Sequence, residues 1–145
     1  MILMALVGGV MSGVILLFLS HVAPRFGAGN FIRDLDEPRI FGKILTRREA
    51  HLLGALLQLF ISMGSGVAFA YLVSRSVFPG FGLFSLLGWS VLMSLFIGGI
   101  ILPLEGHGVF GVKEDAWFPV DLFLTNVVWS VLFWWMMKML LPLAA

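Results

Sequence analysis

The chain has no cysteine. Disulfides, thiolate metal sites, iron–sulfur ligation and cysteine nucleophiles are therefore excluded. Charge is scarce too: only 12% of residues are Asp, Glu, Lys or Arg, about half the share found in a soluble domain. The net charge is +1, too small to attract a polyanion, so no nucleic-acid partner is expected. No charged residue falls near the centre of a long apolar run, where a proton pump or ion-coupled carrier usually holds one. There is no Gly-rich phosphate loop and no recognisable Ser-His-Asp spacing. Hydrolase and kinase chemistry thus have no support, and the chain reads as non-enzymatic.

Apolar residues are what is plentiful. They make up 60% of 145 residues, and the mean hydropathy is +1.05. A water-soluble fold of this size could not hide so much apolar surface. Seventeen glycines follow no G-X-Y period, so collagen is excluded. The composition predicts one all-α domain over 1–145, an integral membrane four-helix bundle. Spans of about 20 apolar residues fall at about 2–20, 51–73, 81–104 and 120–143. The runs are continuous rather than alternating, which favours helices over a barrel. The first run lacks a preceding Lys or Arg, so it reads as a membrane helix and not as a cleaved signal peptide.

The basic residues set an orientation. Loop 21–50 holds Arg25, Arg33, Arg39, Lys43, Arg47 and Arg48, and loop 105–119 holds Lys113. The opposite side has only Arg75 and Lys138. By the positive-inside rule the two longer loops face the cytoplasm and both termini lie outside. The short turn at 74–80 makes spans two and three an antiparallel hairpin. Loop 21–50 also carries Asp34, Asp36, Glu37 and Glu49, with Phe26, Phe31, Ile32, Ile40 and Phe41 as apolar anchors. It reads either as a solvated loop on anionic headgroups, through cations such as Arg25, Arg47 and Arg48, or as a docking surface for a partner. Thr46 and Glu49 form a capping-box pattern ahead of span two.

Helices in lipid associate by close backbone approach and interhelical hydrogen bonds. Span two carries Gly54, Gln58, Ser62, Gly66, Ala70 and Ser74 at spacing four; span three carries Ser90, Ser94 and Gly98. Span one carries Ala5, Gly9 and Gly13, with Gly8 and Ser12 beside them. These faces predict tight packing among spans one to three, with some faces available to a partner helix. Gln58 and Asn126 are the uncharged amides well inside spans, and a bond between them or to another helix would satisfy both. Asn126 shares a face with Ser130. Span four is aromatic, with Trp129, Phe133, Trp134 and Trp135. Trp129, Trp134 and Trp135 read as an interfacial belt, or as an anchor for another subunit, a pigment or a quinone.

Two segments share P-x-x-G-x-G-x-F. One runs through Pro24, Gly27, Gly29 and Phe31, the other through Pro103, Gly106, Gly108 and Phe110. The match suggests a duplicated helical hairpin with parallel repeats. Each motif is either a plain exit turn or a backbone nest for an anion such as a lipid phosphate, with Gly106 and Gly108 in the second copy. His21, His51 and His107 are expected at one membrane face. They are the candidates for a metal, haem or proton site, but no HxxxH, HExxH or ExxH spacing occurs. No resident metal or cofactor is expected; contact with a quinone, pigment or haem would come through a partner.

Gly8, Gly9 and Gly13 in span one, His51, and the exit Pro103, Leu104, Gly106, Gly108, Phe110 and Gly111 together resemble small four-span bacterial inner-membrane proteins of uncharacterised function. A histidine that the group would place in span four is absent here. The resemblance implies a bacterial inner-membrane location and supplies no activity. The sequence thus points first to a non-catalytic subunit contacting lipids and other membrane proteins, in a respiratory or photosynthetic complex. The alternatives are a small oligomeric channel or transporter, and a histidine-based cofactor protein. Reporter fusions test the orientation: a fusion in loop 21–50 is expected to report the cytoplasm, and one after Lys138 the opposite side.

Overall fold

The computed structural model describes residues 1–22, 39–40, 43–44, 46–104, 107–113 and 116–144; at 21, 39–40, 43–44, 47–48, 50–51 and 143–144 it describes the backbone alone. Four long helices dominate: α1 (Ile2–Val22), α2 (Arg47–Ser74), α3 (Leu83–Leu104) and α4 (Phe118–Leu140). Each holds a stretch long and apolar enough to cross a membrane. A two-residue antiparallel pairing, Arg39–Ile40 with Lys43–Ile44, lies between α1 and α2.

Local chemistry fixes the helix ends. The Thr46 hydroxyl accepts the Glu49 backbone N–H at 3.3 Å, and the Glu49 carboxylate accepts the Thr46 N–H at 3.0 Å. This reciprocal cap satisfies two donors that an open helix end would strand. Span four begins earlier than its hydropathy suggests, at Phe118. Pro119 lies inside its first turn, where a missing N–H costs nothing. Asp121 also sits in that turn and Lys138 in the last, both favourable to the helix dipole. α3 is continuous but not uniform: residues Ile97–Ile101 form a wider π-helical segment.

Close backbone approach joins α1 to α2. A methyl built on Gly9 would lie 2.5 Å from the Ser62 carbonyl oxygen, and one on Gly66 would lie 2.5 Å from the Ala5 carbonyl oxygen. A methyl on Gly13 would lie 2.8 Å from the Ser62 side chain. Rising numbers on α1 meet falling numbers on α2, so the pair is antiparallel. α4 then packs on α1 and on α3. Spans one to three therefore do not form one small-residue seam: α3 packs on α4, where Ser94 meets Asn126, and α2 meets α3 through large side chains. Trp89 donates its indole N–H to Ser65 at 2.8 Å across that gap.

Phe69 is fully buried and gathers the aromatics at the end that carries the 74–82 turn. Its ring lies 5.1 Å from Phe78, 5.6 Å from Phe81, 5.8 Å from Trp89 and 6.3 Å from Phe133. The bulk that Gly9, Gly13 and Gly66 forgo on one side of α2 is supplied here on the other.

Gly66→Ala puts a methyl against backbone. It is expected to lower stability by about 1–3 kcal/mol, the usual cost of overpacking. Gly54, where an added methyl would meet no other part of the bundle within 4 Å among the described residues, serves as the control, and Gly54→Ala should be neutral or mildly stabilising. Denaturant unfolding in detergent, followed by helical circular dichroism, measures both.

Candidate functional site

Contacts across the bundle set the depth of each residue. Gly66 lies against the Phe133 ring, so the turn before it on α2, at Ser62, is level with Trp129 and Ser130 on α4. On α1, Gly9 and Gly13 bracket Ser62, which puts Ser12 at the same depth. On α3, Ser94 accepts a hydrogen bond from the Asn126 amide at 3.0 Å. One antiparallel turn back, Ser90 is level with Ser130. The result is one serine from each of the four helices in a single layer. Their exposures are 0% for Ser12, 1% for Ser62, 1% for Ser90 and 0% for Ser130.

The layer divides into satisfied and unsatisfied groups. Ser12 donates to the Gly8 carbonyl and Ser90 to the Leu87 carbonyl, both at 2.7 Å. Such back-bonding to the preceding turn is the usual fate of a helical serine. Ser62 Oγ and Ser130 Oγ are buried without a hydrogen-bond partner, and so is Trp129 Nε1. Asn126, Ser94 and the Ser90 carbonyl form a short relay beside the layer, since Ser94 donates onward at 2.8 Å. The partner of Asn126 is thus Ser94 and not Gln58, which lies half-buried on α2.

Trp129 belongs to the interior, not to an interfacial belt. It is 5% exposed, and its ring stacks on Phe133 at 4.9 Å and 10°. Trp134 and Trp135 do lie towards the end of α4: Trp134 carries the Lys138 ammonium 4.4 Å above its ring, and Trp135 is exposed. The Arg75 guanidinium sits 5.2 Å over Tyr71 at the same end of the bundle. Cations over aromatic faces suit a water–lipid boundary.

A second structured element is the exit from α3. Gly98 was expected to meet another helix; it meets the Phe110 ring, which occupies the space a side chain at 98 would need. Phe110 holds a left-handed backbone, φ 56°, uncommon for an aromatic residue. The Phe118 ring covers Gly111, whose φ is 71°. The loop therefore folds back as a clip on the π-helical segment. Gly108 is at φ 79° under the Lys113 side chain. Gly106 and Arg25 lie outside the described residues, as does the first P-x-x-G-x-G-x-F copy.

The side chains of His21, His51, Arg47 and Arg48 are outside the description too. His107 is half-buried and its backbone N–H bonds the Leu102 carbonyl at 3.0 Å. Among the described residues, no three His, Asp or Glu gather as metal ligands. Ala70 is fully buried in the α2 face that Gly66 begins. Sequence spacing singled out Ser62 and Ser90, and placed Ser130 on the face of Asn126, but it did not align them as a layer. That alignment depends on how four helices register.

No protein-family model matches the chain, no curated protein matches it and no solved structure matches it.

Gly98→Ala forces the Phe110 ring off the π-helical segment. A loss of about 1–3 kcal/mol is expected, with Gly99, which touches nothing within 4 Å, as the neutral control. Thermal unfolding of Gly98→Ala and Gly99→Ala in one detergent compares them directly.

Proposed function

We propose that the chain is a non-catalytic integral membrane subunit that packs against other membrane proteins, with lipid covering the rest of its outer surface. The observation that carries this reading is the outward-facing glycines. Gly54 and Gly64 on α2 and Gly99 on α3 are exposed, and among the described residues no other part of the bundle comes within 4 Å of a methyl built there. A helix that faces only lipid gains nothing from glycine, which costs helix stability. A helix that receives another helix gains close approach from it. Gly64 and Ala68 sit one turn apart on the same exposed face.

The interior supports a non-conducting role for a single copy. Phe69, Phe133, Leu86 and Met137 are fully buried and fill the axis on the turn side of the serine layer. The proposed setting is a bacterial inner membrane, with the two longer loops cytoplasmic and an electron-transfer complex as the candidate assembly. The same exposed glycines favour one competing reading, self-assembly into an oligomeric channel or transporter.

Purification in mild detergent from native membranes separates the two. Foreign subunits at fixed stoichiometry support the accessory role; copies of this chain alone support the oligomer. Gly64→Leu with Gly99→Leu should lower the recovered partner at least tenfold, a change of about 1.4 kcal/mol in association. The unfolding midpoint of the isolated chain should stay the same or rise slightly, since leucine is the better helix former. Recovery at the parental ratio would remove these faces as contact surfaces.

A further inference from the structure

The serine layer presents polar chemistry that its own chain does not consume. Ser62 Oγ, Ser130 Oγ and Trp129 Nε1 are buried and unpartnered, on residues 1%, 0% and 5% exposed. Each hydroxyl can donate once and accept twice, whereas the indole N–H only donates. A buried polar group without a partner is costly, and such groups in native proteins are nearly always paired, often by internal water. The helical alternative is open to both serines, since Ser12, Ser90 and Ser94 all donate to a carbonyl of the preceding turn. Ser62 and Ser130 do not take it. Their hydroxyls are left for something else.

The surroundings define that something. The aromatic wall of Phe69, Trp89, Trp129 and Phe133 closes the layer on the turn side. On the loop side stands the Asn126–Ser94 bond. No charged residue occurs in α3 or in α2 beyond its first turn, and those of α4 lie in its end turns. The guest must therefore be neutral. It must also be small, because α1 meets α2 here backbone to backbone at Gly9 and backbone to side chain at Gly13. Finally, it must both accept from an indole N–H and exchange hydrogen bonds with hydroxyls. Ser12 and Ser90 add acceptor capacity, since each uses its only O–H on the backbone and keeps its lone pairs.

We propose that the serine layer is an internal water site. Water accepts from Trp129 Nε1 and bridges the Ser62 and Ser130 hydroxyls, within the three or so hydrogen bonds usual for a buried water. Water matches every requirement: it is neutral, of one-atom size, and supplies two donors and two acceptors. The site sets a hydrated layer between the aromatic cluster around Phe69 and the Asn126–Ser94 bond.

The test uses the full chain, labelled with 15N-tryptophan, in lipid nanodiscs. Trp129→Phe, which keeps a ring to stack on Phe133, assigns the indole signal. The Trp129 N–H is expected to show a cross-relaxation peak to water protons. The Trp89 N–H, already bonded to Ser65, is the internal control and should show none. Ser130→Ala should reduce the Trp129 water peak at least threefold and lower the unfolding equilibrium stability at least threefold. The Trp129→Phe and Ser130→Ala effects should fall short of additive, because both act on the same water. Two results overturn the proposal. One is a Trp129 signal without a water peak. The other is Ser130→Ala at parental or greater stability, which is what deleting a truly unpaired hydroxyl would give.

Discussion

Where Gly9 of α1 meets the backbone of α2 at Ser62, there is no room for a single methyl group. In the lipid setting proposed for the chain, apolar side chains would gain nothing by leaving lipid for one another, so the usual hydrophobic drive between helices would be missing. What remains is dispersion at short range and polar bonds across the seam. Both require the helix axes to come close. The Gly9–Ser62 and Gly66–Ala5 approaches supply that closeness, and they fix the register of α1 on α2. That register then decides which serines fall at one depth and where Phe133 can lie against Gly66.

The remaining architecture balances this closeness with bulk. On the far side of α2 the gap to α3 is filled by Phe69, Phe78, Phe81 and Trp89, and among the described residues a single hydrogen bond, Trp89 to Ser65, crosses it. α4 takes both roles. Met137 and Phe133 reach Gly8 on α1, and Asn126 reaches Ser94 on α3. Polar residues are thus not scattered through the bundle. Among the described residues the six buried polar side chains are all serines. Serine is small enough for close helices, and it can return its hydrogen to its own backbone when no other acceptor is near.

Much of the architecture was legible because it rests on local rules. Continuous apolar runs gave four helices of spanning length, and Thr46 with Glu49 gave the cap of α2. The spacing-four stripe named Ser62, Gly66 and Ala70, which are buried. It could not distinguish them from Gly54, which belongs to the same stripe yet lies open. That difference comes from the crossing of α1 and α2, which no single helix encodes. Trp129 read like Trp134 and Trp135 because composition sees only a tryptophan-rich helix end. Its burial follows from facing Phe133 one turn away. The pairing of Gly98 with Phe110 was hidden for another reason: it depends on a left-handed residue in a loop, and glycine alone advertises such a backbone.

The π-helical segment at Ile97–Ile101 affects how α3 is read along its whole length. Apart from Trp89, the buried positions of α3, namely Leu86, Ser90, Ser94, Gly98 and Leu102, recur every four residues. In a straight α-helix each step of four overshoots a full turn by about 40°, so five such positions would wind about 160° around the axis. The last of them would then face away from the first. A π turn takes in more residues per revolution and winds the phase back. The segment thus works as a vernier, resetting the angular count of α3 late in its course. It lets one strict four-residue rhythm keep addressing the same interior from one end of the bundle to the other.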